Sequence, residues 1–234
     1  MHADHYDGFA ARYEAENQRN LLNAYYDRPA MIRLAGDVAG RRILDAGCGS
    51  GPLTAALRSA GALMTGVDGS PEMLALARER LGDAVPLHVA DLARPLPFAD
   101  GAFDDVVCSL VLHYLEDWAG PLAELRRVLR PGGRLILSVN HPSVRVFFNP
   151  EEDYFATRPY TETFVFEDGT EELPFWHRSL TTMVREFLAA GFRISAVEEP
   201  PPAPDTPRDL LPPRVASGER EAFLCFLYVV LTAE

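Results

Sequence analysis

Between residues 40 and 142, short apolar runs alternate with stretches of helical periodicity, a rhythm compatible with very few folds. RRILDAG, ALMTGVDG, AVPLHVAD, FDDVVCSL and RLILSVNHP each read as a strand that stops at a small or polar residue. Pro52 and Pro71 stand at first helical positions, the second behind a Ser70 cap. SPEMLALARERLG puts Met73, Ala77 and Leu81 on one stripe, and DWAGPLAELRRVLRPGG does the same with Trp118, Leu122, Leu125 and Leu129 before breaking at Pro131-Gly132. Strands joined by helices pair in parallel through right-handed crossovers, so the expected class is α/β, with helices on both faces of one sheet.

The flanks extend this pattern into a single domain over 1–234. Residues 1–39 read as a helical cover, with Pro29 suited to the first turn of a helix that ends near Gly36. Residues 40–142 are the core. Residues 143–178 leave the rhythm; they hold nine aromatic residues between Phe147 and Trp176, with a hairpin pattern about EDGT. A long insertion in a compact domain points to function, and this one is expected to be a lid over a substrate. From 179 to 234 the rhythm returns. A helix with Leu180, Val184 and Phe187 inward is followed by the strand RISAVEEP, a proline-rich connector, and the run EAFLCFLYVVLTA, a strand buried on both faces.

The loop ILDAGCGSG, from Ile43 to Gly51, carries the chemistry. A dinucleotide fingerprint needs a third glycine where Pro52 stands, and Asp45 would face a pyrophosphate of like charge. The same carboxylate suits a cationic group such as an α-amino group. Asp68 ends the second strand, where an acid accepts from ribose hydroxyls. Asp91 ends the third and can accept from an exocyclic amine, with the Leu92 amide beside it. Three acids at three strand tips describe one ligand edge in a crevice.

ILDAGCGSG, GVDGSPEML, VADLARPLPFADGAFDDVVCSLVLHYLEDW and LRRVLRPGGRLILSVNHP resemble the successive motifs of class I S-adenosylmethionine-dependent methyltransferases, in particular the bacterial small-molecule type related to ubiquinone and menaquinone biosynthesis. The resemblance implies a Rossmann-like, doubly wound, seven-stranded sheet whose last strand, over 222–232, is antiparallel. It implies S-adenosylmethionine as cofactor, bound by Asp45, Ala46, Gly47, Cys48, Gly49, Asp68, Gly69, Met73, Asp91, Leu92 and Ser109. One of Tyr6, Tyr13, Tyr25 and Tyr26 would close over the sulfonium, since aromatic faces attract cations. The expected reaction is methyl transfer to an O, N or C nucleophile of a small apolar or aromatic metabolite.

Composition narrows the partners. The formal charge of −12 disfavours nucleic acid and anionic membrane. No lysine is present, which excludes Schiff-base and P-loop chemistry. Three cysteines in apolar stretches show no metal-ligand spacing and no disulfide framework, no run is long enough to span a bilayer, and the polar N-terminus reads as no targeting peptide; a cytoplasmic setting is expected. Proton chemistry near neutral pH then falls to histidine, a carboxylate, cysteine, tyrosine or water. His113 follows the fourth strand, His141 the fifth, and His177 precedes the returning helix, so these three are the candidate bases, His141 foremost. Two other readings share the cofactor half: an RNA or protein methyltransferase, and a non-catalytic S-adenosylmethionine binder.

Overall fold

The structure, a computed structural model, describes residues 8–166 and 169–234; His2, His5 and Tyr6 lie outside them. Strands β1 (Arg42–Ala46), β2 (Leu63–Asp68), β3 (Leu87–Val89), β4 (Phe103–Ser109) and β5 (Leu129–Asn140) pair in parallel. β8 (Phe192–Glu198) and β9 (Phe226–Ala233) complete a seven-stranded sheet in the order β3-β2-β1-β4-β5-β9-β8, with β9 antiparallel to both neighbours. Strand order therefore reverses between β1 and β4, the switch point at which open α/β sheets bind ligands beyond the carboxyl ends of the strands.

Helices α3 (Pro52–Ser59), α4 (Pro71–Leu81), α5 (Ala119–Val128) and α7 (Leu180–Ala189) cover the faces. Their caps are local in origin. The Ser70 hydroxyl accepts from the Met73 N–H at 3.2 Å, and Ser179 accepts from Thr182 at 3.3 Å. The α4 and α5 stripes are buried as patterned, and Trp118 stacks on Phe187 with centroids 5.8 Å apart. α7 differs from its expected face. Met183 and Phe187 are buried, while Leu180, in the first turn beside its cap, stays exposed.

Two strand boundaries also differ. β3 begins only at Leu87, because Pro86 has no N–H to pair; its carbonyl accepts from Gly66 at 2.9 Å. At its other end β3 stops at Val89, so Asp91 lies two residues beyond the strand. The fifth strand starts at Leu129, where the helix stops, and its pairing jumps from Phe103↔Leu129 to Asp105↔Arg134. Gly133 fills that irregularity, since a Cβ there would lie 2.9 Å from the Arg130 carbonyl and 3.0 Å from that of Asp104.

Beyond the sheet, α6 (Pro142–Phe148) leads into a separate antiparallel pair, β6 (Arg158–Phe166) and β7 (Gly169–His177), in register from Arg158↔His177 to Phe166↔Gly169. The N-terminal cover is α1 (Ala10–Asn17), a π-helical segment (Leu21–Asp27) and α2 (Arg28–Ala35), followed by Gly36. A short α8 (Pro213–Ala216) interrupts the proline-rich connector.

One buried ion cluster pins the sheet. Asp105 on β4 is fully buried and accepts from Arg41 at 2.7 Å and from Arg134 at 2.8 and 2.9 Å. Burial pushes its carboxyl up, but the Arg134 and Arg41 bonds outweigh this and hold it below the usual range. Asp105→Ala would leave two guanidiniums facing each other. The expected cost is about 3 kcal/mol, near the low end for a broken buried pair, because the arginine side chains remain 27% and 28% exposed. Urea unfolding measures it. The lowered folded-state value makes the contribution fully present above the ordinary Asp range and lost as pH falls through that lowered value, so the variant should also lack this acid limb.

Candidate functional site

The cleft opens over the carboxyl ends of β1, β2 and β4. β1 delivers Asp45, which is 1% exposed and accepts from the Thr54 hydroxyl at 2.6 Å. Burial, together with the nearby Asp68 and Asp27 charges, pushes its carboxyl up to about 7 against the bond from Thr54. Two glycines of the following loop have left-handed backbones for different reasons. At Gly47 (φ +82°) a Cβ would lie 2.4 Å from a Val111 methyl carbon, whereas at Gly49 (φ +53°) it would meet nothing within 4 Å and would enter the cleft.

Asp68 at the tip of β2 ties two loops together. Its Oδ2 accepts from the Gly49 N–H at 2.8 Å and its Oδ1 from the Ser70 N–H at 2.9 Å. Asp45, Gly47, Cys48, Gly49, Asp68, Gly69, Met73 and Ser109 all line the cleft. Ala46, Asp91 and Leu92 do not. Ala46 points into the core, Leu92 is buried, and Asp91 closes its own turn by accepting from the Ala93 N–H at 2.9 Å. Cys48 is buried, and its thiol is pushed up by burial and by Asp45 and Asp68, which makes it inert packing.

The cover completes the cleft. Tyr13, Asn17 and Asn23 line it, and Glu14 fastens α1 to α4 and to the glycine loop by accepting from Arg80 and from the Ser50 hydroxyl. Burial raises the Glu14 carboxyl, while the Arg80, Ser50 and Gln18 bonds bring it below its ordinary value. Of the tyrosines, Tyr13 reaches the cleft. Tyr26 is buried, stacked on Phe223 at 4.8 Å, and Tyr25 is absent from the lining.

A second cavity adjoins the first. It lies under the β6–β7 hairpin and is walled by Tyr160, Phe164, Phe175 and Trp176 opposite Asn140, His141 and Cys225. The two cavities, about 940 and 1180 Å³ with their mouths included, share Tyr13, Asn23, Leu110 and Tyr114. Leu110, just past the end of β4, has φ 56°, a left-handed conformation that is a strained exception for a leucine. Its N–H bonds Ser138 at 3.0 Å, which holds the strained residue at the junction. Strain of this kind leaves no mark in the sequence.

All three candidate histidines line this second cavity, but they differ chemically. His113 is buried, which pushes its imidazole down to about 3, and its Nδ1 accepts from the Asn140 N–H at 3.1 Å. His141 caps α6 through Nδ1, accepting from the Ser143 N–H at 3.1 Å, and its Nε2 bonds Glu199 at 2.7 Å. Burial lowers it, partly offset by Glu199. His177 donates through Nε2 to the Tyr154 carbonyl at 2.9 Å, and no described residue bonds its Nδ1. Among the described residues no cluster could hold a metal ion, and no helix is long and apolar enough to cross a membrane.

A fold with this strand order and a cleft of strand-tip acids and glycines defines a class I methyltransferase. The sequence pattern of the methyltransferase domain matches residues 44–137. A demethylmenaquinone methyltransferase of Corynebacterium kroppenstedtii is 32% identical over 198 residues, covering 80% of this chain and 84% of that protein. The chain belongs to the S-adenosylmethionine-dependent methyltransferase family. Other relatives match over less. The demethylmenaquinone methyltransferase of Thermus thermophilus is 42% identical over 136 residues, 55% of this chain and 60% of that protein, and the chain spans a little over half the length of several such relatives. Among solved structures, an S-adenosylmethionine-dependent methyltransferase from Mesorhizobium loti aligns over 87% of this chain and 96% of its own, with a TM-score of 0.65 and 27% identity. The 1,6-didemethyltoxoflavin-N1-methyltransferase of Burkholderia thailandensis shares the fold, with a TM-score of 0.60 at 20% identity over 99% of this chain and 84% of its own.

S-adenosylmethionine is the family's cofactor, and the cleft fits it. Among the described residues no cation pairs with the buried Asp45, Asp68 stands on the neighbouring strand tip, and Gly49, bonded to Asp68, leaves the space beside it open.

Proposed function

We propose that the chain transfers the methyl group of S-adenosylmethionine to a small, apolar or aromatic acceptor held in the second cavity. The observation that carries this reading is the continuity of an acid- and glycine-lined cleft with an aromatic cavity across one shared wall. Bound S-adenosylmethionine supplies an electrophilic methyl on a sulfonium. The chain aligns and shields. Asp45 holds the α-amino group, Asp68 the ribose, Gly69 and Met73 flank the adenosine, Ser109 lies near the methionyl side, and Tyr13 offers its ring to the sulfonium. Alignment of this kind lowers the barrier by about 7–11 kcal/mol.

Residues 143–178 serve as the lid, and where the acceptor needs deprotonation His177 is the base. This departs from the expectation that His141 leads. Both His141 nitrogens are engaged and His113 is too weakly basic, whereas His177 keeps an acceptor nitrogen for the substrate. The quinone-biosynthesis relatives support a cyclic, largely apolar acceptor.

Calorimetry with S-adenosylhomocysteine, followed by transfer of labelled methyl to a panel of small acceptors, tests the proposal. Donor binding without turnover on any acceptor would favour a binding protein, and transfer to RNA or protein would move the acceptor class. The expected affinity is itself pH-dependent. The ligand's ammonium group needs Asp45 ionised, and in the free protein that carboxyl is pushed up to about 7. Affinity should hold above about 7 and fall below it, with a limiting slope of about tenfold per pH unit for one linked proton. Calorimetry across pH 5.5–8.5 reads it, and Asp45→Asn should flatten the profile.

A further inference from the structure

The cavity-side face of the β6–β7 hairpin carries Arg158, Tyr160, Glu162 and Phe164 on one strand, opposite His177, Phe175, Leu173 and Glu171 on the other. Its charges are matched with one exception. Arg158 pairs with Glu152, and Glu171 with Arg12 at 2.5 Å. Arg145, which also lines the cavity and lies 4.6 Å from the centre of the Tyr160 ring, is clamped by Glu152 at 2.8 and 2.5 Å. Glu162 alone makes no hydrogen bond or ion pair with any described residue, although it lines the cavity between Tyr160 and Phe164. Burial pushes its carboxyl up, and the Arg145 charge pulls the other way. Glu162 is nonetheless an exposed position of β6, so water hydrates its carboxylate at the cavity mouth, where an incoming cation can take the place of that water.

We infer that the second cavity takes an acceptor bearing a protonated amine, with Glu162 as its ion-pair partner and the Tyr160, Phe164 and Phe175 rings as its walls. Rings and one carboxylate together are the chemistry that recognises an organic ammonium ion. The inference rests on the reading of this cavity as the acceptor site. Glu162 lines only the second cavity and not the wall it shares with the cofactor cleft. The amine is therefore a handle held away from the transferred methyl, and not the nucleophile. An acceptor with a carboxylate or phosphate at that end would meet Glu162 as a like charge, and the net charge of −12 steers cations toward the protein.

Three probes of similar shape separate the possibilities: 2-phenylethylamine, 2-phenylethanol and 3-phenylpropionate, titrated by NMR at neutral pH with and without S-adenosylhomocysteine. The wild type is expected to bind the amine about tenfold tighter than the other two. Glu162→Gln, nearly isosteric on a strand position, should erase that preference while leaving the alcohol within about twofold. Equal binding of all three by the wild type, no amine binding at millimolar concentration, or an unchanged preference in Glu162→Gln would overturn the inference. The probe comparison in the wild type stands even if the variant folds poorly. Absence of S-adenosylhomocysteine binding would instead count against the methyl-transfer reading, and an amine preference retained in that case still supports the cation site.

Discussion

Replacing residues 160–175 by a short Gly/Ser turn is expected to abolish methyl transfer while leaving S-adenosylhomocysteine affinity within a few-fold. The cut falls between Pro159 and Trp176, which pair across the hairpin, so the chain ends to be joined already lie side by side. What is lost is Tyr160, Glu162, Phe164 and Phe175, most of the hairpin wall of the second cavity, while Trp176 stays. The cofactor cleft keeps every lining residue. A small loss of affinity follows from the removal of Leu173 and Phe175, which pack against Phe9, and of the Glu171 pair with Arg12, since both steady α1 above the cleft. Single-turnover transfer to the true acceptor, beside calorimetry, gives the answer. Turnover at the wild-type rate would place the acceptor elsewhere, under the N-terminal helices.

Gly49→Val is expected to eliminate measurable cofactor binding. With φ +53°, this position costs an L-residue roughly 1–2 kcal/mol, and more for a β-branched one. The strain alone would only lower the melting temperature. The larger effect is steric, because the added Cβ has no protein neighbour within 4 Å and the side chain it carries would occupy the cleft. The Gly49 N–H would also be drawn off the Asp68 carboxylate. Calorimetry and thermal unfolding separate the two contributions. A folded variant that binds S-adenosylhomocysteine normally would show that no ligand approaches this backbone.

What could be read from the sequence was what local chemistry determines. Pro52, Pro71 and Ser70 announce their helices because a cap is decided within three residues. The glycine loop and Asp68 are legible because strand tips in a parallel sheet must converge. Reading failed where distant residues decide. Pro86 delays the start of β3, and the strand stops at Val89, so Asp91 stands two residues past it and accepts from the Ala93 N–H in a turn. Spacing brought three histidines to one cavity but could not tell that Asn140, 27 residues away, occupies the Nδ1 of His113. Nor did any pattern mark Leu110 or Asn23 as parts of the site, since their place depends on how the cover lies across the sheet.

The common wall has a thermodynamic meaning. Tyr13, Asn23, Leu110 and Tyr114 face both compartments, so whatever posture they take around one guest is the posture offered to the next. Any factor by which the nucleoside alters affinity for the acceptor must return unchanged when the order of addition is reversed. Titrating each ligand against a protein saturated with the other closes that thermodynamic square. A factor above one would mean that each guest tightens the hold on the other, so the ternary complex is favoured over either binary complex at equilibrium.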